Sequence, residues 1–269
     1  MENPISLAFL TTYDVSPLDA VRIAGEAGYD MVGLRLLAAA PSEGKYPIMT
    51  DMFLQKAVAK ALEATGVQLA DIEIARLKAG TNVADFEPFC VLGQRLGARH
   101  VLVAGDDPER NRLIQTYGAF CELAGRYGLT ADIEPMPWTE VKNLADANQI
   151  TGAVGYENSG ILIDALHWDR SGDTASDISA LPANRLHYAQ VCDGPRPYDP
   201  SDAGMIRIAR EARLHPGDGG IDLKAMLRAL PTNLPISVEI PNHALARHHA
   251  PIERAVMALA STKALMAEI

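Results

Sequence analysis

The sequence predicts an α/β fold, a (β/α)8 TIM barrel in which eight parallel strands alternate with helices. Short apolar runs alternate with longer amphipathic stretches, which is the pattern of parallel strands joined by helices. Glycine recurs just beyond the amphipathic stretches, where it typically ends helices. The length of 269 residues fits one large barrel, so we expect a single domain over residues 1–269. A doubly wound open sheet stays as the alternative, because periodicity does not show whether a sheet closes.

The apolar runs define eight predicted strands. They are Ser6–Leu10, Met31–Arg35, Gln68–Ile74, His100–Ala104, Thr130–Glu134, Ile161–Asp164, Leu186–Val191 and Ile236–Ile240. The predicted helices are Pro17–Glu26, Asp51–Ala64, Phe86–Leu96, Glu109–Tyr127, Thr139–Gln149, Leu223–Leu230 and Ile252–Met266. The first four end at Gly28, Gly66, Gly97 and Gly128.

Two stretches interrupt this alternation. Ala38–Pro47 is predicted as a shorter loop after the second strand. Asp193–Gly220 contains four prolines and several glycines, and it is predicted as a long irregular loop. Because a long loop after a late barrel strand commonly forms a lid or a pocket wall, we expect this segment to border the functional site.

The composition limits the partners and the location of the protein. The chain carries 34 acidic and 24 basic residues, a net charge of −10, and no lysine–arginine cluster, so no nucleic-acid partner is expected. No run reaches the roughly 18–20 apolar residues of a membrane span, and Met1–Pro4 lacks the basic start of a signal peptide. Cys90, Cys121 and Cys192 are too far apart for a disulfide framework or a metal knuckle. We therefore expect reduced thiols, no membrane partner and a cytoplasmic location.

Polar side chains fall at the ends of the four later strands: Glu134, Asp164, Gln190 and Glu239. In a barrel, the C-terminal ends of the strands surround the active site. Buried carboxylates that converge there repel each other unless a cation lies between them. Oxygen ligands favour a hard divalent metal ion, Mn²⁺ or Mg²⁺, with Co²⁺ as a substitute. For any single one of these residues, a polar strand cap is the alternative interpretation.

Other polar residues are predicted to surround this site. His167 follows the sixth strand and is expected to bind substrate or carry a proton. Arg76 is predicted in the loop after the third strand, where its guanidinium would hold a substrate carboxylate or hydroxyls. Arg35 ends the second strand, where a structural ion pair is the favoured interpretation and a substrate contact like that of Arg76 is the alternative. Strand alternation predicts that His187 faces the helices.

At these residues the chain resembles the xylose isomerase-like barrels, a superfamily of sugar isomerases, epimerases, inosose dehydratases, dehydroshikimate dehydratases and apurinic endonucleases. The resemblance covers nearly the whole chain, and its specific motifs lie in residues 130–243. The superfamily pattern of Glu, Asp, His or Gln, and Glu on strands five to eight implies metal ligands at Glu134, Asp164, Gln190 and Glu239. Its Asp-x-x-His motif matches Asp164 and His167, and its arginine-rich segment before Pro-Gly-x-Gly matches Arg210–Leu223.

The resemblance also implies roles for these residues. Glu134 and Glu239 are the implied pair of bases that removes and returns a proton, with His167 as a further acid or base. Many sugar epimerases carry His where this chain has Gln190, and a Gln followed by Asp-x-Pro resembles the dehydroshikimate dehydratase branch, as does Arg76. Arg210, Arg213 and His215 precede the Pro-Gly turn, and one of them is expected to reach the substrate. The predicted substrate-binding residues are Arg76, His167, Asp193 and Arg210.

Three functions stay open from the sequence. The first is a divalent-metal-dependent isomerase or epimerase of a sugar or keto-polyol, working by proton abstraction next to a metal-bound carbonyl through an enediolate. The second is a metal-dependent dehydratase (lyase) of a cyclic keto-polyol such as 3-dehydroshikimate, in which Arg76 would hold the substrate carboxylate. The third is a non-catalytic binding barrel. Such barrels often pair, so a homo-oligomer is also an open alternative.

Overall fold

Parallel strands form a closed barrel in the computed structural model, which describes residues 3–39, 43 and 46–269. The strands are β1 Ile5–Leu7, β2 Met31–Arg35, β3 Gln68–Lys78, β4 His100–Asp106, β5 Thr130–Ile133, β6 Ser159–Ile161, β7 Ile163–Asp164, β8 Ala189–Val191 and β9 Ile236–Val238. Their order in the sheet is β6-β5-β4-β3-β2-β1-β9-β8-β7. Only Leu162 separates β6 from β7, and its N–H donates to the carbonyl of Ile133 (3.0 Å). The two segments therefore form one sixth strand, and the predicted (β/α)8 barrel is confirmed.

Helices surround the barrel and follow the strands in the chain. They are α1 Pro17–Ala27, α2 Met52–Thr65, α3 Glu87–Leu96, α4 Arg110–Arg126, α5 Leu144–Val154, α6 Ala165–Ser171, α7 Ala175–Ser179, α8 Asp202–Glu211, α9 Leu223–Ala229, α10 His243–Ala246 and α11 Pro251–Met266. None of the helices in the described part of the chain combines the length and the apolar character that a bilayer crossing requires.

The ends of α1 show how local chemistry sets the helix boundaries. The hydroxyl of Ser16 accepts the N–H of Asp19 (3.1 Å), and Pro17 occupies the first helical position. Gly28 then ends the helix with a φ of 86°, a conformation that other residues adopt at a cost. Most predicted ends of strands and helices lie within a few residues of the observed ends.

Two boundaries differ in ways that affect the site. β3 continues to Lys78, so Arg76 lies within a strand and not in the predicted loop. The predicted helix Thr139–Gln149 is wrong at its start, because α5 begins at Leu144. Asn143 caps that helix by accepting the N–H of Asp146 (2.9 Å). Residues 139–143 are irregular instead, and the turn before them, closed by the hydrogen bond from Thr139 N–H to the carbonyl of Met136 (2.9 Å), places Trp138 beside the barrel opening.

The predicted irregular loop Asp193–Gly220 contains helix α8, so that prediction is wrong for ten residues. Ser201 caps α8 by accepting the N–H of Gly204 (3.1 Å). The four prolines of the segment all lie outside the helix, so they bound it and do not interrupt it. Buried apolar residues recur in it at helical spacing: Met205, Ile208 and Ala209. The other predicted loop, Ala38–Pro47, falls partly outside the described residues.

The interior of the barrel is unusually polar for a buried space. Alternation along β5 and its continuation directs both Asp132 and Glu134 inward, with Glu134 nearer the C-terminal end. Between the polar groups lies an apolar cluster of Ile74, Leu102, Ala104, Met136, Leu162 and Tyr188. The larger apolar core fills the space between the strands and the helices. This division leaves the two ends of the barrel axis to charged and hydrogen-bonding groups.

Gly160 in β6 gives the first testable prediction. A Cβ at this position would overlap the Oδ1 of Asp132 and the Nδ1 of His187. We expect Gly160→Ala to lower the free energy of unfolding by about 1–3 kcal/mol through overpacking, measured by urea denaturation. Gly152→Ala in α5 is the matched control, since an added Cβ there meets only the tip of Arg185 at 3.7 Å. Equal stability of Gly160→Ala and wild type would contradict this packing.

Candidate metal centre and active site

A cavity of about 470 Å³ opens at the C-terminal ends of the barrel strands. Residues at or near the strand ends form its base: Arg35, Arg76, Glu134 and Glu239. Aromatic rings form much of its wall: Phe9, Tyr13, Tyr46 and Trp138. Sites for small molecules commonly enclose roughly 300–1,000 Å³, so the cavity has the size of such a site.

The structure brings the four predicted metal ligands together below this cavity. Asp164 and Gln190 are paired across β7 and β8, and the Nε2 of Gln190 donates to Glu239 Oε1 (3.2 Å). Glu134, Asp164 and His167 each bring one potential ligand atom to within 4.8 Å of the other two. All five of these side chains are buried. Glu134, His167 and Glu239 line the cavity, whereas Asp164 and Gln190 lie beneath it.

Arg213 connects the carboxylates of two different strands. Its Nη1 lies 2.5 Å from Asp164 Oδ2, and its Nη2 lies 2.9 Å from Glu239 Oε2. Its Nε donates to the carbonyl of Ala209 (3.0 Å), which fixes the guanidinium against α8. The side chain is only 2% exposed. Of the three basic residues that the sequence offered before the Pro-Gly turn, Arg213 is thus the one that reaches the carboxylates.

Burial and mutual repulsion shift the pKa values of the carboxylates apart. Burial, followed by the charges of Asp164 and Glu239, holds the pKa of Glu134 well above its ordinary value. Burial also raises the pKa of Glu239 to about 7, although Arg213 opposes this shift. Burial alone would raise the pKa of Asp164, but the charge of Arg213 and the hydrogen bond from the backbone N–H of His167 hold it below its ordinary value. Glu239 therefore has a pKa suited to exchanging protons near neutrality, and the pKa of Glu134 is shifted in the same direction.

The donor set fits a divalent metal ion. The Oε1 of Gln190 is fully buried and has no hydrogen-bond partner in the described part of the chain. Such an orphaned carbonyl oxygen, next to Glu239 and in register with Asp164, indicates a cation ligand. Glu134, Asp164, Gln190 and Glu239 supply oxygen atoms, and one arginine offsets only part of their charge. The residues that would hold the ion are these four, with His167 at their edge.

Metal binding is expected to depend on pH with a definite sign. The pKa of Glu239 is about 7 in the protein without metal, and that of Glu134 is also raised. Protons therefore compete with the ion below neutrality, so we expect the Mn²⁺ affinity to fall on acidification from pH 7 by up to about tenfold per pH unit for each proton that the ion displaces. Calorimetry in buffers of different ionisation enthalpy would count the released protons. An affinity that is independent of pH between about 5 and 7 would contradict this assignment.

His167 is positioned as a neutral imidazole at the cavity wall. Its backbone N–H donates to Asp164 Oδ1 (2.9 Å), because Asp164 is the N-cap of α6. Its ring meets the edge of Trp138 at a centroid distance of 4.9 Å. Burial lowers the pKa of His167 to about 4, so the ring is uncharged at neutral pH. Its Nδ1 has no hydrogen-bond partner among the described residues, which leaves it available to a ligand.

The predicted substrate-binding arginines differ in how free they are. Arg76 lines the cavity, but its Nη1 is paired with Asp106 and its Nε donates to the carbonyl of Ala39 (3.0 Å). Arg210 also lines the cavity, and its side chain is exposed on α8. Arg35 forms the predicted ion pair, with 2.6 Å between its Nη2 and Glu73 Oε2. Arg35 also lies at the base of the cavity, as the alternative interpretation of a substrate contact requires.

Asp193 is not positioned to bind substrate. Its Oδ1 accepts the N–H groups of Gly194 (2.8 Å) and Ile221 (3.0 Å), and its Oδ2 accepts that of Gly217 (3.1 Å). The carboxylate is 2% exposed and is not part of the cavity lining. We correct the predicted role accordingly, since these three hydrogen bonds hold the Pro-Gly turn against the end of β8. The Asp-x-Pro motif that contains Asp193 therefore has a structural role in this chain.

The fold, the cavity and its carboxylates define a class of protein. The profile of the xylose isomerase-like TIM barrel family matches residues 21–263 of this 269-residue chain. The chain therefore belongs to that family. Among solved structures, it is similar to IolI protein with a bound zinc atom, at a TM-score of 0.81 and 17% identity over 98% of both chains. A D-allulose 3-epimerase from Methylomonas sp. gives a TM-score of 0.71 and 17% identity, again over 98% of both chains.

Other relatives cover less of their sequences or share only the fold. An inosose isomerase of Halalkalibacterium halodurans is 28% identical over 111 residues, which are 40% of this chain and 37% of that protein. An inosose isomerase of Bacillus velezensis is 24% identical over 158 residues, 55% of this chain and 54% of that protein. The chain thus matches only about a third to a half of the length of these relatives. A probable 3-DHS dehydratase from Bacillus anthracis gives a TM-score of 0.74 at 16% identity, over 96% of this chain and 98% of that one.

Proposed function

We propose that the protein is a divalent-metal-dependent isomerase or epimerase of an uncharged sugar or cyclic keto-polyol. The observation that carries this proposal is the pair Glu134 and Glu239. Both line the cavity, both are buried, and burial raises the pKa of each. They lie at the ends of β5 and β9, strands that are not neighbours in the barrel, so they approach a substrate from different sides.

Each residue of the site has a task in this reaction. One glutamate takes the proton from the carbon next to the substrate carbonyl, and the electron pair moves to the carbonyl oxygen to give an enediolate. The other glutamate returns a proton from a different side, which inverts or relocates the stereocentre. His167, neutral and with a free Nδ1, is placed to bind a substrate hydroxyl. Arg213 keeps Asp164 ionised and holds Glu239 in place.

A divalent ion held by Glu134, Asp164, Gln190 and Glu239 would supply the electrophile that polarises the carbonyl and acidifies the adjacent C–H. The oxygen ligands favour Mn²⁺ or Mg²⁺, with Co²⁺ as a substitute. The inosose isomerases and the D-allulose epimerase act on polyols of this kind by name, and we extend that substrate class to this chain.

The charges around the cavity favour an uncharged substrate over a carboxylic acid. Arg35, Arg76 and Arg213 are each already paired with at least one carboxylate. In particular, Arg76 was the residue expected to hold the carboxylate of a dehydroshikimate-like acid, and Asp106 occupies its guanidinium. At these three arginines a negatively charged substrate would have to displace an existing ion pair, which leaves the exposed Arg210 as the cavity arginine without an ion pair among the described residues. This counts against the dehydratase alternative, although the proton abstraction would begin in the same way.

Hydrogen exchange tests the proposal and separates the alternatives. Mn²⁺-loaded protein is incubated in D₂O with neutral ketoses, an inosose or 3-dehydroshikimate, and deuterium is located by NMR. We expect deuterium at the carbon next to the carbonyl of a neutral substrate, without loss of water. A conjugated absorbance formed from dehydroshikimate would instead establish the dehydratase. Exchange into none of the compounds, together with no bound Mn²⁺, would indicate a binding barrel.

Metal content provides a second, independent check. After removal of metal and reloading with Mn²⁺, we expect about one ion per chain in the wild type and a large loss of bound Mn²⁺ in Glu239→Gln.

We also propose a cytoplasmic location, supported by the free, buried thiols of Cys90, Cys121 and Cys192. Sedimentation analysis would show whether the barrel pairs into a homo-oligomer.

A further inference from the structure

We propose a second metal site at the N-terminal end of the barrel, formed by His100, Asp132 and His187 and suited to Zn²⁺. The three residues each bring one ligand atom to within 4.8 Å of the others. His187 Nδ1 lies 2.5 Å from Asp132 Oδ1, and His100 Nδ1 lies 3.8 Å from Asp132 Oδ2. Strand alternation does not hold at His187, because the residue precedes β8, and its ring turns into the barrel and not toward the helices.

This site is separate from the cavity described above. Asp132 precedes Glu134 by two residues on the same strand, which places it roughly 6–7 Å closer to the N-terminal end. His100 is the first residue of β4, and its ring stacks on Tyr188 at a centroid distance of 5.0 Å. None of the three residues lines the cavity at the other end. The two ends of the barrel axis therefore carry two distinct groups of ligand atoms.

The surroundings are shaped around this cluster. Gly160 faces it, and any Cβ there would overlap Asp132 and His187. Asp132 is fully buried and His100 is nearly so, whereas the His187 side chain is 17% exposed and leaves a route for an ion from solvent. The hydroxyl of Thr130 donates to Asp132 Oδ2 and lies 2.8 Å from His100 Nδ1, so it connects two members of the cluster. The three side chains are mostly buried, their ligand atoms converge, and solvent reaches them at His187. These are the features of a metal-binding site.

The donor types determine which ion the site prefers. Two imidazole nitrogens and one carboxylate favour Zn²⁺, with Co²⁺ as a spectroscopic substitute, whereas the oxygen ligands at the other end favour Mn²⁺ or Mg²⁺. Zinc bonds of about 2.0–2.2 Å require the ligand atoms to sit on the order of 3.3 Å apart. The Asp132–His187 pair must open and the Asp132–His100 pair must close, each by a small side-chain rotation. The ion replaces the proton shared by His187 and Asp132, and that proton leaves to solvent. The ring proton of His100 moves from Nδ1 to Nε2, so that Nδ1 exchanges its hydrogen bond to the Thr130 hydroxyl for the ion.

Zinc at this place would tie together β4, β5 and the segment before β8. The N-terminal face of a barrel of this type contributes to stability, while the chemistry takes place at the opposite face. We therefore expect Zn²⁺ to raise the thermal midpoint of the protein, and to do so in a variant that no longer holds an ion at the catalytic end. The inference does not depend on the proposed isomerase activity.

Metal titration of the chelator-treated full chain tests this site. We expect His187→Ala to bind one Zn²⁺ fewer per chain than wild type, while His248→Ala, which removes an exposed histidine, binds as much as wild type. Equal zinc binding by wild type and His187→Ala would overturn the proposal. Asp132→Asn provides a second variant if His187→Ala does not fold.

A spectroscopic measurement needs no change at the proposed site. Co²⁺ added to Glu134→Gln, whose catalytic site has one carboxylate fewer, is expected to give the intense visible band of cobalt bound by nitrogen with few ligands, and Zn²⁺ is expected to bleach it. Loss of that band in Glu134→Gln/His187→Ala would assign it to this cluster. Absence of the band from Glu134→Gln would contradict the second site, even where the exchange experiment in D₂O supports the isomerase.

Discussion

Glu239→Gln is expected to lower kcat by roughly 10²–10⁴-fold, the usual contribution of a general acid or base. The substitution preserves the shape of the side chain and its contact with Gln190, but it removes the carboxylate that exchanges a proton with the substrate. The substitution removes one charged partner of Arg213, but Asp164 still pairs with that guanidinium, so the fold should tolerate the change. The measurement compares turnover with deuterium incorporation at fixed Mn²⁺ occupancy.

The comparison of Glu239→Gln with Glu134→Gln is the informative part. If the two glutamates act from different sides, one of the two variants should still exchange the substrate C–H for deuterium. Neither variant should form product at the wild-type rate. Glu211→Gln is the matched control, because Glu211 lines the same cavity but is exposed and has no contact with the carboxylate cluster. It should retain activity to within a few fold. A Glu239→Gln protein that turns over at the wild-type rate with bound Mn²⁺ would remove Glu239 from the mechanism.

Arg213→Met is expected to destabilise the metal-free protein by about 3–5 kcal/mol, because it leaves buried carboxylates without their cation. Arg213 is 2% exposed and is paired with both Asp164 and Glu239. A divalent ion offsets the same negative charge, so Mn²⁺ should stabilise Arg213→Met by more than it stabilises wild type. Urea denaturation with chelator and with Mn²⁺ gives all four free energies of unfolding.

The control for this substitution lies one helical turn away. Arg210 is exposed on α8, so Arg210→Met should change the free energy of unfolding by no more than about 0.5 kcal/mol. Similar effects of the two substitutions would show that Arg213 is not a buried charge. An Arg213→Met protein of wild-type stability in chelator would show that the carboxylates protonate at little cost.

The positions of Glu134, Asp164 and Glu239 could be predicted because each follows an apolar run, whereas Gln190 lies within the short strand β8. The C-terminal ends of parallel strands lie at one face of the barrel. Residues at those ends are therefore close together, even where the helix boundaries are predicted wrongly. The same argument failed for His187, because it assumed that the strand begins at Leu186, whereas β8 begins at Ala189. Alternation is informative only where the chain is a strand.

Other parts of the site depend on contacts that no local pattern encodes. Arg210, Arg213 and His215 are equivalent in the sequence, and only the packing of α8 against the barrel selects Arg213 for burial. Asp193 carries a motif of the family, but three backbone N–H groups occupy its oxygens. The pairing of Arg76 with Asp106 joins residues 30 positions apart, and it decides whether that arginine is free for a ligand. The sequence therefore did not predict which charged residues pair with each other over long distances along the chain.

The wall of the cavity and its base come from different parts of the architecture. Phe9, Tyr46, Trp138 and Arg210 stand on turns and on α8, whereas the carboxylates stand at the ends of strands. For directed evolution, this means that mutant libraries can be confined to the wall. Such libraries would alter which polyol is accepted while the proton-transfer groups keep their spacing, so selectivity and chemistry can be optimised in separate rounds.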